Sequence, residues 1–285
     1  MLFLSFFLLT APLGDVPQQL TITENGRPQM SVELERYELP FLNSHFIHDE
    51  KIQGLLNELD KKIYKEPVNA RLNKKGEVVQ GKPGQTIDRH KFQLLFRESF
   101  YTGEPDTLEI PIKKIYPRVD TDLLTEVKEK QIGQYVTYFK KSNQERTHNI
   151  ELAADAINNY VVFPGEKFSF NKIVGKRTKD RGYMKAPVIV KGELSEDIGG
   201  GICQVSSTLY NAVSLKGIKI LERYSHSRSV PYVPPGRDAT VSWWGPDFVF
   251  KNMYNQPILI RAKSEAGRMV IQIYSSETVE LHTVK

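Results

Sequence analysis

Gly199-Gly200-Gly201-Ile202-Cys203-Gln204-Val205-Ser206-Ser207-Thr208 sets three consecutive glycines ahead of a cysteine and a run of helix-compatible residues. Glycine takes positive φ without a Cβ clash and lets other groups approach its backbone closely. The stretch predicts a sharp turn opening into a helix. Val205, Leu209, Ala212 and Val213 would form its apolar stripe, and Gly217 would end it. Cys203 is the only cysteine of the chain, so it has no intrachain disulfide partner. The residues alone leave two readings open. A free cysteine is commonly a small buried hydrophobe. A thiol at a helix N-terminus and beside an imidazole is instead a thiolate near neutral pH, and therefore a nucleophile.

A cysteine nucleophile needs a base, and histidine is the usual one. The chain has six: His45, His48, His90, His148, His226 and His282. His226 is best placed. It lies in Tyr224-Ser225-His226-Ser227-Arg228, at the end of the first strand expected after the Cys203 helix. A strand returning from a helix can bring its end back beside the helix start. His148 is second, just ahead of a helix that Asn149 is expected to cap. His45 and His48 read as surface residues. Arg228, Arg237 and Asp238 fill out the neighbourhood of His226. An arginine can grip a substrate carboxylate through two bonds, and an aspartate can orient a histidine through its second nitrogen. A local ion pair stabilising the turn Pro234-Pro235-Gly236 explains them equally well. Of Trp243 and Trp244, alternation sends one into the core and the other towards a groove.

Further out, periodicity predicts an α+β chain of two modules. In residues 30–117, Met30 to Leu39 reads as a strand. Ile52, Leu55, Leu56, Leu59 and Ile63 form a helical stripe behind an Asp49 cap. Residues 68–72 and 77–79 form a hairpin. Asp88 opens a helix with Phe92, Leu95, Phe96 and Phe100, and Leu108, Ile110 and Ile112 alternate as a strand. Residues 130–275 form a β-rich module around the Cys203 helix. A strand is expected at 132–139, a helix carrying Ile150, Ala153, Ala154 and Ile157, and short strands at 168–170 and 188–190. More strands are expected over 218–224, 229–233, 239–243, 248–251, 258–262 and 269–274.

The 285 residues are 40% hydrophobic and 26% charged, which suits a globular chain with a core. The net charge of +5 is spread out, with no basic stripe of the kind nucleic-acid binding uses. No metal motif, P-loop or Gly-x-Ser-x-Gly elbow occurs, so no metal or cofactor is expected. Leu2, Phe3, Leu4, Phe6, Phe7, Leu8 and Leu9 make residues 1–14 resemble the apolar core of a signal peptide or an anchor. The run is too short to span a bilayer as it stands. It predicts an exported protein that meets the membrane only through this segment. In an exported protein a lone cysteine is reactive or intermolecular.

Several stretches together resemble the VanW-domain proteins of Gram-positive bacteria. They are Asn143 to Ile150 with Leu152-Ala153-Ala154, Phe163 to Asn171, Gly182-Tyr183 with Ala186 to Ile189, Gly199 to Ala212, His226-Ser227-Arg228, Tyr232 to Val241 and Asp247 to Asn252. They cover roughly residues 132–262. Residues 30–117, with Lys82-Pro83-Gly84 ahead of the Asp88 helix, more loosely resemble a peptidoglycan-binding domain that often precedes a VanW domain. The resemblance implies cell-wall work on peptidoglycan stem peptides. Some VanW-domain proteins are L,D-transpeptidases whose nucleophile is the cysteine of this glycine motif. Carried over, Cys203 would be the nucleophile and His226 the base and then acid. Gly200, Gly201, Gln204, Ser206, Arg228, Arg237 and Asp238 would bind substrate or support the site. The alternatives are a hydrolase of the same stems and a non-catalytic wall-binding scaffold protein of the envelope.

Overall fold

The computed structural model describes residues 19–40, 46–190 and 193–281. The apolar segment 1–14, His45 and His282 lie outside them. The chain divides into two compact units, Met1–Asn69 with Gly81–Arg118, and Ala70–Gln80 with Val119–Lys285. Helices and strands are mixed throughout, so the chain is α+β.

In the first unit, β1 (Gln19–Glu24) and β2 (Arg27–Glu33) form an antiparallel hairpin. Asn25 (φ 51°) and Gly26 (φ 72°) turn it, both in the left-handed region such tight turns need. The expected strand over 30–39 therefore ends at Glu33, and Leu34–Tyr37 is a 3₁₀ turn. Helix α1 (Asp49–Ile63) buries the predicted stripe, but His48 rather than Asp49 occupies the cap position. The expected hairpin follows as β3 (Arg71–Leu72) and β4 (Val78–Val79), and it falls in the second unit. Strand β5 (Gly84–Ile87) leads into α2 (Arg89–Thr102), whose first turn Asp88 caps through the Lys91 amide. The expected strand 108–112 is two strands, β6 (Thr107–Glu109) and β7 (Ile112–Ile115), separated at Ile110-Pro111. A proline cannot donate to a ladder, so pairing changes there. β6 pairs with β1, and β7 with β5. The core joins Leu20, Ile22, Ile52, Leu56, Phe92 and Phe96 among others.

The second unit holds the site. After α3 (Thr121–Val127) comes β8 (Lys130–Tyr138), then α4 (Gln144–Ile157) and β9 (Tyr160–Val162). Next are β10 (Lys167–Ser169), the short α5 (Phe170–Val174), and the hairpin β11 (Lys185–Val190) and β12 (Glu193–Ile198). Helix α6 (Ile202–Ala212) follows, then β13 (Ile218–Glu222), β14 (Val249–Asn252), β15 (Ile258–Glu265) and β16 (Arg268–Ser275). A four-stranded antiparallel sheet runs in the order β8-β16-β15-β9, and a three-stranded one in the order β10-β14-β13. Residues 229–233 and 239–243, expected as strands, are loop apart from one bridge between Tyr224 and Thr240.

Helix α6 packs against α4, β8 and β16, and nine of its eleven residues are buried. A helix this enclosed must satisfy its polar side chains internally. Thr208 Oγ1 pairs with Thr137 Oγ1 at 2.8 Å, Gln204 Nε2 donates to Thr137 Oγ1 and the Tyr138 carbonyl, and Asn211 Nδ2 donates to the Arg237 carbonyl. The apolar stripe is thus only one of its contact faces. Gly217 does not cap it, because α6 ends at Ala212. A Cβ on Gly217 would lie 2.2 Å from the Tyr254 ring, so that glycine makes room for an aromatic.

Candidate active site

Each of the three glycines yields space to a different neighbour. A Cβ on Gly199 (φ 90°) would stand 3.1 Å from Arg177 Cβ and Cγ. On Gly200 it would stand 2.5 Å from the Ala186 carbonyl oxygen, and on Gly201 (φ 105°) 2.8 Å from Arg146 Cγ. Two arginine stems and one strand backbone therefore close on the turn. Asn149 pins it: its Nδ2 donates to the Met184 and Gly200 carbonyls at 2.9 and 3.0 Å, and its Oδ1 accepts from the Met184 amide. The expectation that Asn149 caps a helix is corrected. Asn143 caps α4, and Asn149 lies buried within it. His148 is likewise inside α4, with Nε2 3.0 Å from the Gly182 carbonyl, away from any capping role.

Gly201 occupies the N-cap of α6, which makes Cys203 its second helical residue. The half-buried thiol donates to the Val241 carbonyl at 3.5 Å and lies 3.8 Å from Thr240 Oγ1. After α6 the chain returns along β13 and delivers His226 to the same place. The imidazole and the thiol interact, and each shifts the titration of the other. The ring nitrogen Nδ1 is 2.7 Å from Asp238 Oδ2, which also accepts the His226 backbone amide at 2.6 Å. The His226 and Asp238 side chains are only 6% and 9% exposed. Arg223 anchors the loop, donating to the Asp238 and Gly236 carbonyls at 2.7 and 2.8 Å. Ser206 Oγ donates to the Ala239 carbonyl at 2.6 Å, and the Ala239 amide donates to Ser207 Oγ. The helix that carries Cys203 thereby sets the register of Asp238 and Thr240.

The electrostatics follow from this geometry. Burial pushes the Cys203 thiol up, but the hydrogen bond and charge of His226 more than offset it, so the thiol sits below its ordinary range. Burial lowers His226, yet Cys203 and then Asp238 raise it above the usual imidazole value. Burial likewise pushes Asp238 up, and the His226 amide and ring draw it below the usual carboxylate range. Each shift favours a thiolate, an imidazolium and a carboxylate side by side. Such a set can supply a nucleophile, an acid–base group and an orienting group. Arg146 and Arg177 add positive charge, and both interact electrostatically with Cys203.

The structure brings Cys203, His226 and Asp238 together. The remaining expected residues divide differently. Gly200 and Gly201 serve close packing. Gln204 is buried, and its Oε1 accepts from Arg146 Nη2 at 2.7 Å. Ser206 tethers the Asp238 loop. Arg237 is spent on α6: its Nε donates to Asn211 Oδ1 at 2.7 Å. Arg228 is exposed. Trp243 and Trp244 are both exposed, at 39% and 85%, so neither is a core residue. They sit in the turn that Asn171 ties down through the Ser242 and Pro246 carbonyls. Sequence reasoning gave no site role to Arg146, Arg177 or Arg223 and read Asn149 as a cap, because isolated arginines and a mid-helix asparagine carry no periodic signal. Their spacing from the glycines along the chain says nothing of contact.

Comparison with known proteins identifies the family. Residues 145–274 match the family described as VanW like protein. Over 273 residues, 96% of this chain and 90% of the relative, the sequence is 53% identical to Uncharacterized protein YoaR of Bacillus subtilis (strain 168). Over 83 residues, 29% of this chain and 30% of that protein, it is 32% identical to Vancomycin B-type resistance protein VanW of Enterococcus faecalis (strain ATCC 700802 / V583). No solved structure matches the chain. With the glycine turn, Cys203 and the Asp238 loop all inside the matched region, the chain belongs to the VanW family.

Proposed function

We propose that this protein is a cell-envelope acyltransferase, an L,D-transpeptidase that uses Cys203 to form 3-3 crosslinks between peptidoglycan stems. The observation that carries the reading is the convergence of Cys203, at the start of a buried helix, with the His226 imidazole that Asp238 holds by a hydrogen bond. The similarity to a vancomycin resistance protein and the apolar residues 1–14 support an exported protein at the cell wall or the outer face of the membrane. The sequence pI of about 9.0 suits an anionic envelope. The region 30–117 would add wall binding.

In the reaction, the Cys203 thiolate attacks the carbonyl carbon at the L-centre of the third stem residue. The S–C bond forms, and the positive end of the α6 dipole stabilises the oxyanion. The C–N bond then breaks, and the His226 imidazolium passes its proton to the departing D-Ala nitrogen. A neighbouring stem amine attacks the thioester, His226 takes that proton, and the thiolate leaves. Asp238 holds the imidazole in one orientation throughout. The deciding experiment incubates the protein with a defined stem tetrapeptide and follows intact mass. A thioester adduct on Cys203 that loses D-Ala, and is absent in Cys203→Ala, is expected. Equal 3-3 product from Cys203→Ala would refute the assignment, and product only from water as acceptor would make it a hydrolase.

A further inference from the structure

Among the described residues, the buried side-chain polar atoms without a hydrogen-bond partner are Ser99 Oγ, Asn171 Oδ1, Ser264 Oγ and both Nη atoms of Arg177. Arg177 alone of these is charged. Asp247 and Cys203 lie within electrostatic reach of Arg177, yet neither accepts a hydrogen bond from its Nη atoms, and buried N–H groups left without an acceptor are costly. Its centre stands 5.9 Å from the Phe170 ring centroid, which attracts the cation but accepts no in-plane hydrogen bond. Its stem lies against Gly199, at the foot of the Cys203 turn. Arg146 lies against the other outer glycine, Gly201, with one Nη already given to Gln204. Arg237, an expected carboxylate binder, is engaged by Asn211.

We propose that Arg177 receives a substrate carboxylate beside Cys203, with Arg146 as a second positive charge. Cys203 then attacks the bond joining a C-terminal residue to the rest of its peptide. The guanidinium fork matches a carboxylate through two parallel bonds. In a C-terminal residue, only the amide nitrogen and one α-carbon separate the carboxylate from the attacked carbonyl. A cation next to the nucleophile therefore selects terminal bonds. An internal bond or a C-terminal amide leaves the Arg177 Nη atoms without a charged acceptor, and so is disfavoured. The peptide part of this inference rests on the acyl-transfer reading above, while the carboxylate site does not.

Two measurements on the full chain separate them. The first compares alkylation of Cys203 by iodoacetate and by iodoacetamide, which differ in carrying a carboxylate or a neutral amide. The iodoacetate-to-iodoacetamide rate ratio is expected to exceed that of N-acetylcysteine by about tenfold at low salt and to shrink as salt rises. It should fall to the N-acetylcysteine value in Arg177→Gln and persist largely in Arg177→Lys. A wild-type ratio equal to that of N-acetylcysteine overturns the proposal without any variant, and so does a ratio unchanged in folded Arg177→Gln. The second compares acylation by a tetrapeptide with a free C-terminal carboxylate and by its C-terminal amide. Faster acylation by the acid is expected. Equal rates overturn the role of Arg177 and leave acyl transfer standing. A raised alkylation ratio with no acylation by either peptide overturns acyl transfer and keeps the carboxylate site.

Discussion

At the scale of single residues, the Cys203–His226 pair makes pH dependence diagnostic. The thiol is lowered and the imidazole raised, so the thiolate–imidazolium form occupies the window between them. Below the lowered thiol value the nucleophile is protonated, and above the raised imidazole value the acid is spent. Acylation is expected to follow a bell-shaped profile. In His226→Ala the acid limb of Cys203 alkylation should move up towards the ordinary thiol pKa of about 8.5, slowing alkylation at pH 6.5 by about tenfold. Stopped alkylation quantified by mass spectrometry reads both. Asp238→Asn should move the alkaline limb of acylation down, because the carboxylate helps hold the imidazole proton. Asp238 also bears on folding. Its native pKa is depressed, so its stabilisation is complete above the unfolded carboxylate range and is lost as pH falls through the lower native value. Thermal melts of wild type and Asp238→Asn should converge in acid and diverge near neutrality.

At the scale of elements, the glycine turn and α6 are held from both sides. Asn149→Ala removes three hydrogen bonds to the Met184 and Gly200 backbone, with an expected cost of about 2–3 kcal/mol at about 1 kcal/mol each. Gly200→Ala drives a methyl into the Ala186 carbonyl at 2.5 Å, so β11 must shift at a cost of about 1–3 kcal/mol. By contrast, nothing lies within 4 Å of a Cβ on Gly54, which is helical. Gly54→Ala should stabilise α1 by about 0.5–1 kcal/mol. Denaturant midpoints of the three variants check the order. Equal effects of Gly200→Ala and Gly54→Ala would contradict the packing account of the turn. Legibility was uneven at this scale. The stripes of α1 and α2 announced themselves because each buries one face. The stripe of α6 understated its burial, since Gln204, Ser206, Ser207, Thr208 and Asn211 are interior polar residues whose partners are distant in sequence. The loop 239–243 looked like a strand because its buried Ala239 and Val241 alternate as strand residues do, and 229–233 because its valines are β-branched.

At the scale of the molecule, the first unit has one core cluster of its own and the second unit has two. Phe96 is fully buried in the first unit, and Phe96→Ala is expected to cost about 3–5 kcal/mol there. Hydrogen exchange over residues 19–69 and 81–118 should quicken while Cys203 alkylation keeps its wild-type rate. The hairpin β3–β4 belongs to the second unit, where Arg261 donates to the Leu72 and Asn73 carbonyls and to Asn159 Oδ1. A helix stripe or an alternating strand is a local pattern, so the sequence alone determined the α+β class, the apolar faces and the glycine turn before a helix. The motif also singled out Cys203, His226 and Asp238, because their residue types suit thiol chemistry. Only the tertiary structure decided that Asp238 binds His226 instead of serving its own turn alone, and that Arg177 and Arg146 close on the glycines. Those contacts join residues 12 to 55 positions apart, from His226–Asp238 to Arg146–Gly201. Nothing local encodes them, since they arise from the return of β13 and the packing of α4 against α6.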